Sequence, residues 1–258
     1  MIYDLKKEAM YGFRSGKLLA IMGGFMFFSL LTPFILKIVL PQVLLSRGAS
    51  TQDLSGLLEI TQIGCIQIYL KDIFEIGTII VSFSLCGLLA QEIRDGTLII
   101  PLCSGRKYTC ILGSKVVVFG LGVFSISLLA AIANYLYSGY LYSFEIGASS
   151  VLIAGFLQGI YMVFLVLCVV MWGSIIKKPV ATGFLTLLTA FGMHFIGELL
   201  GIHKWLPSGL LLQAQRLNSL SDISIFKTLF VTAILSIIMF VVTLKRLNSL
   251  EWNERKAQ

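Results

Sequence analysis

Six long apolar stretches leave this chain few folds to choose from. They run Leu18–Leu40, Ile73–Gln91, Val116–Tyr137, Val151–Ile176, Val180–Leu200 and Ile223–Leu244. Each is close to or above the roughly 20 residues that carry a helix across a bilayer. Within the bilayer every backbone N–H and C=O must be paired inside the protein, which permits helices or closed barrels. Barrel strands alternate polar and apolar residues over segments of about ten, and that alternation is missing here. The runs use most of the 258 residues. The expected fold is an all-α integral membrane protein, one transmembrane domain over residues 1–258 with six transmembrane helices.

Charge supports the same reading. Only 13% of residues are charged and 57% are hydrophobic, against about 25% charged in soluble domains. The net charge of +7 does not signal nucleic acid, because Lys and Arg gather in alternate loops as the positive-inside rule expects. One side holds Lys6, Lys7, Arg14 and Lys17, then Arg94, Arg106, Lys107 and Lys115, then Lys177 and Lys178, then Lys245, Arg246, Arg255 and Lys256. The other holds Arg47, Lys71, Lys204 and Arg216. This places a multi-pass chain in the cytoplasmic (plasma) membrane with both termini cytoplasmic and membrane lipid as the partner of most of its basic residues. A secretory leader is not expected, because the first apolar run is too long and lacks a small-residue cleavage site. Of the five cysteines, only Cys65 falls on the outer side. Their spacing matches neither a metal nor a redox motif, and buried small hydrophobes is the reading adopted.

Residues 1–17 form the first element outside the spans. Ile2, Leu5, Ala9 and Phe13 recur at helical spacing, with Lys6, Lys7 and Arg14 mainly off the stripe. That pattern predicts an interfacial helix lying on the cytoplasmic headgroups, joined to the first span by an elbow at Gly12 and Gly16. An outer loop is expected over 41–72, with an amphipathic helix from Gln52 to Gln67 acting as a lid. Gly155 and Gly159 in the fourth span make a GxxxG, which suits close helix packing within the chain or between two copies. Residues 201–222 hold a second apolar piece, Leu210 to Ala214, too short to cross. Such segments are often re-entrant, and two short re-entrant outer helices around Trp205 and Pro207 are expected between spans 5 and 6.

Catalytic chemistry is hard to place. The chain has no G-x-x-x-x-G-K-[ST], no H-E-x-x-H and no G-x-S-x-G, so the usual phosphate, zinc-protease and serine-hydrolase motifs are missing. With only His194 and His203, a histidine metal cluster is not available. His194 and Glu198 are one turn apart in the fifth span and form an intramembrane polar pair, a functional candidate because ionisable groups are costly there.

The segment 92–115 carries the remaining signal. Glu92 and Gly96-Thr97 close the second span, Leu98–Cys103 is a short apolar stretch, Arg106-Lys107 makes a basic turn, and Gly113-Ser114-Lys115 opens the third span. In that order the chain resembles the permease subunits of ABC-2 type (type-2 ATP-binding-cassette) transporters. There an acidic residue and a Gly-Thr precede a leucine-rich coupling helix, a basic turn and a Gly-Lys. Pro101, Gly105 and the serine between Gly113 and Lys115 depart from that pattern. The layout of the whole chain fits the same family.

The resemblance implies a cytoplasmic coupling helix between spans 2 and 3. It also implies a non-catalytic permease that pairs with a second permease copy or a homologous one, and two copies of an ABC ATPase subunit that hold the ATP-Mg. This chain would carry no cofactor. The residues implied to couple to the ATPase are Glu92, Gly96, Thr97, Leu98, Ile100, Leu102, Arg106 and Lys107, with Glu92 paired to Arg94 or to the amino-terminal helix. Export of a hydrophobic or amphiphilic substrate is the expected activity. Two other classes stay open at this point: an ion-coupled secondary transporter using His194 and Glu198, and a non-transporting immunity or scaffold protein.

Overall fold

The computed structural model describes residues 2–46, 61–217 and 223–249. Every regular element among them is helical. Helix α1 spans Ile2–Arg14. The six helices long and apolar enough to cross a membrane are α2 (Lys17–Val43), α3 (Gln62–Asp95), α5 (Tyr108–Tyr142), α6 (Ala148–Ile176), α7 (Pro179–Leu200) and α9 (Ile223–Asn248). Between α3 and α5 stands the short helix α4, Ile99–Cys103. Between α7 and α9 lie a 3-10 turn, His203–Trp205, and helix α8, Gly209–Gln215. An even number of crossings returns the chain to the side of α1, so α1, α4 and the end of α9 share one end of the bundle.

Helix α6 is the axis of the bundle. Its apolar window is 78% buried, against 22% for α9 at the periphery. The GxxxG explains part of this: a Cβ on Gly155 would meet Ala131 at 3.0 Å, and one on Gly159 would meet the Phe124 ring at 2.6 Å. Both glycines therefore serve the α5–α6 contact inside the chain rather than a contact between copies. On the opposite flank a Cβ on Gly173 would reach the Ala90 backbone nitrogen of α3 at 3.2 Å. Polar side chains add direction to packing that apolar contacts alone leave degenerate in lipid. Ser29 Oγ donates to the Ala130 carbonyl at 2.8 Å and Asn134 Nδ2 to the Ser29 carbonyl at 2.9 Å, which pins α2 to α5. Trp172 Nε1 donates to Thr189 Oγ1 at 2.9 Å across α6 and α7.

Two expectations about the outer side need correction. The first span continues to Val43 and the second begins at Gln62, so the 41–72 outer loop and the separate lid helix ending at Gln67 do not hold for 62–72. The charged residues just before Ile73 are accommodated within a helix. Asp72 accepts from Thr32 Oγ1 at 3.1 Å, and Lys71 lies 3.9 Å from Glu75 one turn on. Thr61 caps the helix start, its hydroxyl accepting from Gly64 N. Gln62, fully buried, ties this extension to the α5–α6 connection: it donates to the Tyr135 carbonyl and accepts from the Glu145 and Ile146 backbone N–H groups. In α2 a π-helical turn, Ile35–Val39, lies between Pro33 and Pro41, a register change that absorbs their missing donors. Residues 52–60 of the expected lid lie outside the described residues. The helical spans also narrow the 92–115 segment, since α3 runs to Asp95 and α5 starts at Tyr108. Lys37 reaches the Leu141 carbonyl and stacks over the Tyr142 ring at 4.5 Å, a snorkelling arrangement.

Candidate functional site: a charged clamp around the 96–107 turn

The end of α3 is built for a sharp stop. Gly96 takes φ +68°, the left-handed conformation that glycine adopts without a Cβ penalty. Its N–H bonds the Ile93 carbonyl, and the Thr97 N–H bonds the Glu92 carbonyl at 3.1 Å. This is the paired pattern of a Schellman cap, and Thr97 Oγ1 adds a longer bond to the same carbonyl. Gly96-Thr97 thus ends the helix and re-aims the chain into α4. Pro101 sits in the first turn of α4, where its missing N–H costs nothing, so the departure from the leucine-rich pattern is compatible with a helix of five residues.

The short helix has two sides. Leu98 is 3% exposed and joins the core, and Leu102 packs against the same core. Ile100 is 76% exposed, and Cys103 and Lys107 are exposed beside it. Of the three aliphatic residues expected to supply contacts to a partner, only Ile100 is presented outward; the other two hold the helix to the bundle.

Beneath α4 lies a set of ion pairs. Lys115, on the first turns of α5, has a fully buried side chain. Its Nζ donates to Glu8 Oε2 of α1 at 2.9 Å and to Glu92 Oε1 of α3 at 2.7 Å. Glu8 is 4% exposed and Glu92 19%. A buried ammonium is tolerated only when paired and hydrogen-bonded, and here one cation joins three helices. Arg106, at the close of the turn, pairs with Asp4 of α1. Tyr11 completes the contact: its hydroxyl accepts from Lys17 Nζ at 2.9 Å, and Lys115 Nζ lies 5.9 Å from its ring centre.

Helix α1 is therefore three-sided. Asp4, Glu8 and Tyr11 recur at i, i+4 and i+7, which places them on one face, and that face meets α3, α5 and the 96–107 turn. Tyr3, Met10 and Phe13 are exposed on the far side, where an apolar surface suits lipid. Lys6, Lys7 and Arg14 are exposed between. At Gly16, φ +72° turns the chain from α1 into α2.

The sequence reading missed Asp4, Glu8 and the burial of Lys115. It counted Lys115 among residues facing headgroups and Arg106 as free for a partner or lipid; the structure pairs both within the chain. Glu92 bonds Lys115 rather than Arg94, while Arg94 bonds Asp95 at 3.1 Å. The overlooked signal was two carboxylates at i, i+4 on the one face of α1 that the apolar stripe does not occupy.

His194 and Glu198 are not joined by a hydrogen bond or an ion pair. His194 stacks instead on Phe74, with ring centres 4.7 Å apart, and lies 6.0 Å from the His203 ring. Glu198 is exposed. Among the described residues no three His, Cys, Asp or Glu side chains group as metal ligands, and the five cysteines are free. Comparison with models of protein families, with curated proteins and with solved structures finds no match to this chain.

Proposed function

We propose that this chain is the membrane-spanning permease subunit of an ATP-binding-cassette transporter of the ABC-2 type. In this reading it works beside a second permease, its motor is a pair of separate ATPase subunits, and it exports a hydrophobic or amphiphilic substrate across the cytoplasmic membrane. The observation that carries the reading is the contrast within 96–107: Ile100 stands out from the bundle while Leu98, Leu102 and Arg106 around it are tied down.

The arrangement suits a lever. A soluble partner that buries Ile100 and Cys103 would push on α4. Leu98 passes the push to the core, Arg106 passes it to α1 through Asp4, and the Glu92–Lys115–Glu8 bridge passes it to α3, α5 and α1 together. Charged groups held in a low-dielectric setting resist separation, so the three helices would move as one piece. Coupling in this chain is mechanical; ATP-Mg binds in the partner, and α4 plays the part of a coupling helix. The short elements His203–Trp205 and α8 take the re-entrant role at the far end, where Trp205 is 60% exposed and suits the interface.

Affinity purification of the tagged full chain from its native membrane in mild detergent, with mass spectrometry of the eluate, tests this. A stoichiometric soluble protein with a nucleotide-binding motif is the expected result, lost on Ile100→Asp. Recovery without any ATPase across several detergents overturns the assignment, as does transport that survives inactivation of the partner's ATPase.

A further inference from the structure

At the end of the bundle opposite α4 there is a cavity of about 640 Å³ between α3, α7 and α8. Phe74, Phe191 and Leu212 line it with apolar surface, and Lys71, Glu75 and His194 add polar groups. Its α3 wall is unusual. Residues Ile73–Gly77 form a π-helical turn, and Phe74, Glu75 and Ile76 on that turn all face the cavity. Single π turns inside α-helices are frequent at functional sites. Helix α8 is held against the same wall by Gln67 Nε2, which donates to the Gln215 carbonyl at 3.0 Å.

The polar groups are incompletely used. His194 Nδ1 has no hydrogen-bond partner among the described residues but is closed off from the cavity space, which leaves Lys71 and Glu75 as the polar groups a ligand can reach. Lys71 and Glu75 lie 3.9 Å apart with side chains 65% and 53% exposed, so each has capacity for a further partner. An opposite-charge pair of this kind suits a ligand that carries both charges side by side, since a simple anion would meet Glu75 and a simple cation Lys71. Below the pair, Ile79 and Phe83 continue the same exposed strip along α3. From Glu75 to Phe83 the helix rises about 12 Å, within the half-thickness of a hydrocarbon core of about 30 Å.

We propose that this cavity binds the phosphoethanolamine headgroup of a membrane lipid, with its phosphate on Lys71 and its ammonium on Glu75. One acyl chain lies along Ile79 and Phe83. The site stands apart from the transporter reading, because binding needs no ATPase and is measured without one.

The test uses the purified full chain, delipidated in detergent and titrated with dioleoyl phosphatidylethanolamine, dioleoyl phosphatidylglycerol or dioleoylglycerol, with bound lipid counted by native mass spectrometry. Phosphatidylethanolamine is expected to bind at least tenfold more tightly than the other two. Lys71→Gln and Glu75→Gln each should weaken it about tenfold, and both positions are exposed enough to leave the fold intact. Free O-phosphoethanolamine, which lacks the chains, should not displace the lipid at equal concentration. Equal binding of all three lipids, or binding unmoved by both variants, overturns the proposal. Displacement by free O-phosphoethanolamine overturns the assignment to a bilayer lipid.

Discussion

Replacing Lys115 by methionine removes the one cation that Glu8 and Glu92 share, and the consequence can be worked out from the geometry. Contacts of 2.9 and 2.7 Å correspond to a gross attraction of about 6 kcal/mol each at an effective dielectric constant of about 20. Desolvation of three ions offsets much of that, since burying each costs several kcal/mol. Methionine fills a similar volume, so packing is nearly kept. What remains is two carboxylates without the buried cation between them, Glu8 keeping only the exposed Lys7 at 4.0 Å, and breaking a buried pair by removing one partner costs about 3–5 kcal/mol. For a chain of this size each kcal/mol moves the thermal midpoint by about 2–4 °C, so Lys115→Met should lose roughly 6–20 °C. Glu8→Gln leaves a one-to-one pair and a neutral hydrogen-bond partner, and should cost only about 1 kcal/mol. The triple variant Lys115→Met, Glu8→Gln, Glu92→Gln removes the uncompensated charges and should regain most of the loss. The assay is the temperature at which half of the detergent-purified protein stays monodisperse, with exposed Lys107→Met as a control expected to be neutral. A Lys115→Met protein within about 2 °C of the parent, or a triple variant no better than the single one, would falsify the account of a charge-balanced clamp.

Other perturbations read out neighbouring features. Arg106→Asp should loosen α1 and increase proteolysis of its junction at Gly16, and a simultaneous Asp4→Arg should restore protection; absence of rescue would mean that the pair contributes nothing. Leu98→Asp should destabilise the isolated chain by roughly 3 kcal/mol, because it buries a carboxylate without a partner, while Ile100→Asp should leave stability within about 0.5 kcal/mol; equal effects would contradict the two-sided placement of α4. Gly159→Leu forces a side chain into the Phe124 ring and should cost about 1–3 kcal/mol without altering self-association measured by crosslinking; a change in association alone would return the GxxxG to an interface between copies. Gln62→Leu removes two hydrogen bonds to the α5–α6 connection and one to Tyr135 of α5 and should cost about 2–4 kcal/mol, seen as faster amide exchange at Glu145 and Ile146; unchanged exchange there would contradict the anchoring role.

The sequence alone determined the helical class and the number of crossings. Both follow from lipid acting on each segment separately: an apolar run of membrane length must satisfy its own backbone, whatever its neighbours do. The stop at Gly96 and the short piece after it were legible for the same reason, since a cap depends on a few adjacent residues. The span limits at Gln62 and Val43 were not, because the polar residues Gln62 and Asp72 of the helical extension are held by partners on other elements, Tyr135 and Thr32 among them, that only the fold brings near. Tertiary structure alone decided the pairing of charges. Glu8 meets Lys115 across 107 positions and Glu92 meets it across 23, and hydropathy gives no information on which carboxylate a given cation will find. Burial decided it: Lys115 enters the bundle where α1, α3 and α5 converge, and in that low-dielectric place an ammonium persists only beside carboxylates. The same is true of the cavity between α3, α7 and α8, where Lys71 and Glu75, one turn apart on α3, meet His194 of α7 only because the helices pack as they do.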